Sequence, residues 1–440
     1  MKSARTSTPS AGRRQLSLGV VTEQLMEQVV ERENMTRAWQ RVRSNHGAPG
    51  VDGVTVEAFP SLARVSWPRV RAALLSGHYV PQPVRGVSIP KASGGQRELG
   101  IPTVQDRLIQ QAILQVLTPL FDPTFSESSF GFRPGRSAHG AVKQVKAFAS
   151  AGYKVAVDLD LEKFFDRVQH DVLMRLLSAR IRDTRLLRLI GRFLRAGMAV
   201  GEEVTPRRQG TPQGGPLSPL LANVLLDELD RELARRDLRF ARYADDVLIM
   251  VKSPRAGTRV MASVRRWLHH RLRLVVNESK SKVARLDQCE FLGFVIRQGR
   301  IKISPTAKRR FKGRIRVLTN RNRGISFARY LEEVNAYARG WAQYFGLAEV
   351  WRDWRTWDEW IRRRLRLVLL KQWKTARRRL WNLMKLGATR HQASAISRSG
   401  KGLWRLSRTK TLNQVLDVRW FEAQGLLRLD TLWWTLAPLR

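Results

Sequence analysis

A mixed α+β fold whose last third is helical is what the sequence predicts, and three observations predict it. Apolar residues recur at helical spacing in a series of separate segments. Between them lie short apolar runs of strand length bounded by Gly, Pro and Asp. Beyond Ile301 tryptophans and arginines share a helical rather than a strand interval, with Trp351, Trp354, Trp357 and Trp360 three residues apart.

From the N-terminus, Val20–Arg43 reads as one amphipathic helix, and Asn45–Gly53 as a loop rich in turn residues. Trp67–Leu75 is helical and Val84–Pro90 extended; Lys91–Arg97, with Gly94-Gly95 inside it, is a hairpin tip carrying two cations. Asp106–Leu120 and Ala138–Ala149 have helical apolar spacing, Tyr153–Leu161 is a strand, and Asp171–Phe193 is helical. Gly210–Pro219 is a Gly/Pro loop that feeds a helix over Leu220–Arg235. Phe240–Val251 reads as two antiparallel strands with a tight turn at Tyr243–Asp246. No internal repeat is evident.

Composition restricts the function classes. Of 440 residues, 80 are Lys or Arg against 37 Asp or Glu, a formal net charge of +43. A field of that size implies a polyanionic partner, by default a nucleic acid. An acidic membrane surface is the rival, but no apolar run is long enough to span a bilayer. Met1–Leu18 is basic without an apolar segment, which argues against a secretory signal. The single cysteine, Cys289, excludes an internal disulfide framework and any cysteine-based zinc module, so a cytoplasmic protein is expected. The length permits two or three domains. Residues 301–440 hold 32 Lys/Arg against 9 Asp/Glu, and eleven of the fourteen tryptophans. Tryptophans as the core of a helical bundle, with the arginines as its solvated face, is compatible with that face meeting phosphates.

Three clusters and one hairpin carry chemistry. Asp245 and Asp246 sit in an otherwise apolar run, where two neighbouring carboxylates stay ionised only with a counter-charge. A divalent metal supplies one; a plain β-turn is the alternative, and this motif alone does not separate them. Asp158 and Asp160, two apart on a strand, face one side and repeat the choice between metal site and solvated strand end. In Gln209–Pro219 the glycines let the backbone approach a ligand, and the following helix N-terminus favours negative charge. Arg85, Lys91 and Arg97 place cations on a Gly-containing hairpin, which suits a triphosphate. Together and in this order, the parts match the needs of template-directed nucleotide transfer. Carboxylates hold two Mg²⁺, and cations neutralise the triphosphate during in-line displacement.

These blocks resemble those of the group II intron reverse transcriptases, the intron-encoded maturases, and most closely the compact class C type. The stretches that carry the resemblance are Gly47–Gly53, Ile89-Pro90-Lys91 with Leu99–Arg107, Ser129–Ser137, Asp158–Asp166, Gly210–Asn223, Arg242–Asp246 and Phe291–Phe294. The resemblance implies a right-hand polymerase: a disordered basic N-terminus over 1–20, fingers and palm over 21–304, a helical thumb and maturase domain over 305–395, and a short basic DNA-binding tail over 396–440. It implies Asp160, Asp245 and Asp246 as catalytic metal ligands. Asp160 is chosen over Asp158 because an aromatic and an Asp then follow at five and six residues, Phe165 and Asp166. Asp245 is the expected bridge between both metals, and Asp166 is expected to be structural.

By the same resemblance Phe165 excludes a ribose 2′-hydroxyl, and Arg85, Lys91 and Arg97 contact the triphosphate. Gln213 contacts the incoming nucleotide, Lys280 assists the triphosphate, Phe291 and Gly293 grip the primer, and Arg133 and Arg136 line the template path. Arg339-Gly340-Trp341 through Tyr344-Phe345 resembles the maturase motif. The implied activities are RNA-directed DNA synthesis and intron splicing, with copying of the intron during retrohoming. The expected cofactor is Mg²⁺, with Mn²⁺ as a substitute. The expected partners are intron RNA, RNA template, DNA primer or target and dNTPs, in a monomer or a dimer associated with the bacterial nucleoid. Longer members end in a cysteine-containing nuclease domain, and no such activity is expected here. The rival readings are a splicing-only maturase and a reverse transcriptase recruited to host defence or repair.

Overall fold

A computed structural model describes residues 22–90, 95–201 and 203–436. The expected disordered N-terminus, residues 1–20, lies outside the described residues, as does Lys91. Among the described residues, ten strands form three sheets: β1 (Val84–Pro90), β2 (Gln96–Ile101), β3 (Val155–Leu159), β4 (Met198–Val200), β5 (Glu203–Thr205), β6 (Arg239–Tyr243), β7 (Asp246–Val251), β8 (Lys282–Arg285), β9 (Phe294–Arg297) and β10 (Arg300–Ile303). The sheet orders are β2-β1-β4-β5, β6-β7-β3-β8 and β10-β9.

The central sheet is antiparallel, with Leu159 opposite Val247 and Asp158 opposite both Leu248 and Lys282. Its period-two pattern sends Val155, Val157, Leu159, Val247 and Ile249 into one core, and Ala156, Leu248 and Met250 into another. Both faces are therefore covered, so these strands read as nearly unbroken apolar runs. The helix Pro254–Leu272 lies so close on the first face that a Cβ on Gly257 would sit 2.5 Å from Val283.

The two strands of the expected hairpin pair, with β1 and β2 in register from Arg85 opposite Ile101 to Pro90 opposite Gln96. Two expected helices are each broken. Val20–Arg43 becomes Leu25–Val29 and Arg32–Ser44, and Asp171–Phe193 becomes His170–Ser178 and Thr184–Arg195. Asp183 ties two helix starts together: it caps Thr184–Arg195 by accepting from Arg185 N and Leu186 N, and its other oxygen accepts from Met26 N, in the first turn of Leu25–Val29, at 2.9 Å. A carboxylate buried against two helix ends satisfies amides that a continuous helix would have used itself.

From Pro305 the described chain is entirely helical where it is regular. Phe311 centres an aromatic cluster, 4.5 Å from the Trp357 ring and 4.9 Å from that of Trp341. A three-residue interval drifts around a helix of about 3.6 residues per turn. Trp354 and Trp357 are accordingly buried, whereas Trp351 is exposed and Trp360 lies at the margin. The segment expected as a tail packs on this bundle. Leu412, Leu416, Phe421, Leu429 and Trp433 join its core, and Asp358 accepts from Leu429 N and Asp430 N. No described helix is long and apolar enough to cross a membrane.

Candidate active site

The β6–β7 hairpin turns in two residues, Ala244 and Asp245, between the paired Tyr243 and Asp246, with Ala244 at φ +57°. Asp160 lies one residue past β3, where its carbonyl accepts from Asn277 N at 2.8 Å and its amide donates to Ser281 Oγ at 3.0 Å. The same Asn277–Ser281 turn presents Lys280, whose Nζ is 3.6 Å from Asp160 Oδ2. Burial, then the charge of Asp160, pushes the Asp245 carboxyl above the usual range. Asp246 is reached by solvent from one side, yet burial, then Asp245, Asp160 and Asp158, push it up to about 6. Asp158, raised to about 6 chiefly by burial, belongs to the same electrostatic cluster and is opposed by Lys282.

Four carboxylates thus repel one another at the mouth of the central sheet. Among the described residues no three acidic, His or Cys side chains already stand at metal-binding spacing. The donor set nevertheless fits a hard divalent cation, because it is all oxygen and its mutual repulsion is what such a charge relieves.

Arg242 holds this turn, a role for which the sequence offered no assignment. Its side chain is fully buried and donates to Asp230 Oδ1 at 2.8 Å and Oδ2 at 2.6 Å. It also donates to Asn223 Oδ1 at 2.9 Å, Ser129 Oγ at 2.8 Å and the Ala244 carbonyl at 3.0 Å. One guanidinium therefore fixes the turn against the helix Ser218–Arg235 and the Ser129 loop. A signal was present in part: an arginine inside an apolar strand calls for a buried acid, although Asp230 is one of several charged residues on its helix and is not singled out by sequence.

Beside the carboxylates is a cleft of about 460 Å³ whose lining includes Phe165, Gln213, Gly214, Gly215, Phe132 and Arg107. Phe165 is held edge-on to Phe164, with ring centroids 5.1 Å apart. Its carbonyl accepts from Thr211 N at 2.7 Å, which fastens the Gly/Pro loop beneath it. The loop is fastened again where Gly100 N donates to the Gln213 carbonyl. Gly214, at φ +131°, passes so close to β2 that a Cβ would lie 2.7 Å from the Gly100 carbonyl oxygen. Arg97 is near enough for its charge to act on Asp245. Arg85 is half-buried, and its Nε has no hydrogen-bond partner among the described residues.

On the other side, Phe291 and Phe294 exchange two backbone hydrogen bonds of 2.9 Å around Leu292 and Gly293, both at positive φ. That two-residue turn is the primed type that closes tight hairpins. Tyr344, from the helix Phe327–Phe345, donates its hydroxyl to the Leu292 carbonyl at 2.9 Å, so that helix bears directly on the turn. Arg136 is exposed. Arg133, expected along the template path, is instead spent on the fold. Its guanidinium donates to Asp122 Oδ1 and to the carbonyls of Asp122, Ser126 and Ser129. Asp166, expected to be structural, is exposed and lines a separate cleft with Glu98 and Arg207.

Comparison with known proteins gives two family profiles. "Reverse transcriptase (RNA-dependent DNA polymerase)" matches residues 89–296. "Group II intron, maturase-specific domain" matches residues 308–387. Protein YkfC of Escherichia coli is 33% identical over 312 residues, 62% of this chain and 82% of that protein. The group II intron-encoded protein LtrA of Lactococcus lactis is 30% identical over 342 residues, 62% of this chain but 57% of its own length. Nuclear intron maturase 1 of Arabidopsis thaliana is 36% identical over 89 residues, 20% of this chain and 12% of that protein.

Proposed function

The chain belongs to the group II intron-encoded reverse transcriptases that carry a maturase domain, and from that premise we propose how its palm residues divide the work. The activity is RNA-directed DNA synthesis, together with assistance to intron splicing. Asp160, Asp245 and Asp246 would hold two Mg²⁺. When bound, the ions activate the primer 3′-hydroxyl and neutralise the departing pyrophosphate.

Every other role falls to the chain itself. Arg85, Lys91, Arg97 and Lys280 bind the triphosphate, and Lys280 is drawn from Asp160 to the phosphate as the site fills. Phe165 closes the floor of the cleft where a ribose 2′-hydroxyl would sit, and Gln213 contacts the nucleotide from the loop. Phe291 and Gly293 shape the turn that grips the primer backbone. Arg136 faces the template, while Arg133 holds the loop that presents it. Residues 21–304 act as fingers and palm, 305–395 as thumb and maturase domain, and 396–440 as the DNA-binding segment. Intron RNA, template, primer and dNTPs are the partners, in the cytoplasm.

The observation that carries this reading is the convergence of Asp160 from β3 with Asp245 and Asp246 from the β6–β7 turn into one mutually repelling cluster beside the Phe165–Gln213 cleft. The test is primer extension on an RNA template with Mg²⁺. Asp245→Asn should lower the rate by roughly 10²-fold or more. It should still promote splicing of the intron, because holding RNA does not need the palm metals. Extension at the unaltered rate would remove the site assignment.

A further inference from the structure

The helix Ala138–Ser150 packs on the catalytic hairpin. Its Ala141, Val142 and Val145 share a core with Ala241, Leu248 and Met250, and Gln144 donates to the Phe240 carbonyl at 3.0 Å. The neighbouring face carries His139 and Lys146, about two turns apart, and both reach the end of the helix Phe327–Phe345 and the residues just beyond it. Lys146 pairs with Glu349 at 2.6 Å, and the other oxygen of Glu349 accepts from Ile301 N at 2.7 Å. His139 Nε2 donates to the Tyr344 carbonyl at 2.6 Å. The last four carbonyls of a helix have no donor within it, so the imidazole caps this end.

Tyr344 carries the contact onward. Its hydroxyl donates to the Leu292 carbonyl at 2.9 Å, and its ring lies 5.7 Å from both the His139 and the Phe294 rings. The next residue, Phe345, packs so closely on the same turn that a Cβ on Gly293 would meet its ring at 3.2 Å. Tyr344 also stands by the catalytic acids: burial, then Tyr243 and Asp246, push its hydroxyl above the usual range. The residue is nevertheless 37% exposed, so water could satisfy its hydroxyl. Bonding it to Leu292 fixes a position rather than meeting a demand of burial. A continuous line of contacts thus runs from the β6–β7 hairpin through the helix Ala138–Ser150, His139 and Tyr344 to the Leu292–Gly293 turn.

We propose that His139 and Tyr344 are positioning residues for the primer 3′ end, holding the Leu292–Gly293 turn at a fixed distance from the catalytic aspartates. Neither touches the reacting atoms. His139 sets the end of the helix, and the Tyr344 hydroxyl sets the turn against it. The inference rests on the reading of that turn as the primer grip. It deepens that reading by naming what holds the turn in register with Asp245 and Asp246, which stand on a different hairpin. Alignment of the attacking group is where such a link acts, because small displacements there cost rate.

The test is single-turnover addition of one dNTP to an RNA–DNA primer–template, with full-length protein in excess. The amplitude reports the fraction of productive complexes, and the rate constant reports alignment. Tyr344→Phe keeps the ring and removes only the hydroxyl. It should lower the rate constant about 3- to 10-fold, the worth of one hydrogen bond, with the amplitude unchanged and the half-saturating dNTP concentration within about 2-fold. His139→Ala should do the same, and His139→Gln, which keeps an N–H donor, should recover to within about 2-fold. The double variant Tyr344→Phe/His139→Ala should lose little more than either single one, because both act through one chain of contacts. An unchanged rate constant in Tyr344→Phe and His139→Ala overturns the proposal. So does a fall in amplitude at an unchanged rate constant, the mark of a merely structural role, and so do losses that multiply in the double variant. Gly293→Ala distorts the turn directly and separates the two readings. If it slows addition while Tyr344→Phe does not, the grip stands and the proposal falls; if Gly293→Ala adds dNTP at the unaltered rate, the primer-grip reading itself fails.

Discussion

Replacing Arg242 with methionine separates two things that this residue does. Its side chain and that of Asp230 are both fully buried and 2.6 Å apart. Removing one member of such a pair leaves the other charge buried and uncompensated, a cost of about 3–5 kcal/mol. Asn223 Oδ1 and the Ala244 carbonyl lose their donor in the same step. Equilibrium urea unfolding followed by tryptophan fluorescence should show Arg242→Met destabilised by about that amount. Adding Asp230→Leu removes the stranded charge and should restore stability to within about 1–2 kcal/mol, since apolar replacement of a whole buried pair is often near neutral. Polymerisation should not return with it. Ala244 still lacks its anchor, and a displacement of about 1 Å at a reacting group costs on the order of 10²-fold. Primer extension should therefore show a low kcat with little change in KM for primer–template. If the double variant recovered both stability and kcat, Arg242 would be only a core residue. If the single variant were as stable as the unaltered protein, the burial argument itself would fail.

Three further outcomes follow from the same geometry. Phe165→Ala should raise incorporation of ribonucleotides relative to deoxyribonucleotides by about 10-fold or more in single-nucleotide primer extension, because the cleft floor is removed; unchanged selectivity would clear Phe165 of that role. Gly214→Ala should raise the KM for dNTP and cost about 1–3 kcal/mol of stability, since the new Cβ meets the Gly100 carbonyl; an unaltered KM would show that the loop does not position the nucleotide. Asp106, which accepts from the Tyr79 hydroxyl and Gln82 N, is pushed up to about 6 by burial. Its folded value exceeds the unfolded one of about 3.9, so its contribution is full below pH ~4 and is lost as pH rises through about 6. Asp106→Asn should remove that part of the stability slope between about pH 4 and 6 in urea titrations, and a slope identical to the unaltered protein would exclude it.

What the sequence determined by itself was local and chemical. The extents of β1, of the helix Val104–Phe121 and of the β6–β7 turn follow from periodicity, turn residues and caps, which act over a few positions. The acidic residues stood out because carboxylates are conspicuous in apolar strands. What only the tertiary structure decided was which distant groups meet. Asp183 joins the starts of two helices by reaching Met26, 157 residues away. Arg133 resembled a template contact, yet its donors are consumed by neighbours that the loop folds back on it. Of a regular ladder, Trp354 and Trp357 are buried in the core, Trp360 packs at its margin and Trp351 is exposed, because the interval drifts against the helical turn. Residues 412–433 join the helical bundle because Asp358 accepts the amides of Leu429 and Asp430 and because Leu412, Leu416 and Leu429 complete a shared core. Arg242 shows the one thing that no local pattern encodes: folding brings its buried charge an opposite one in Asp230.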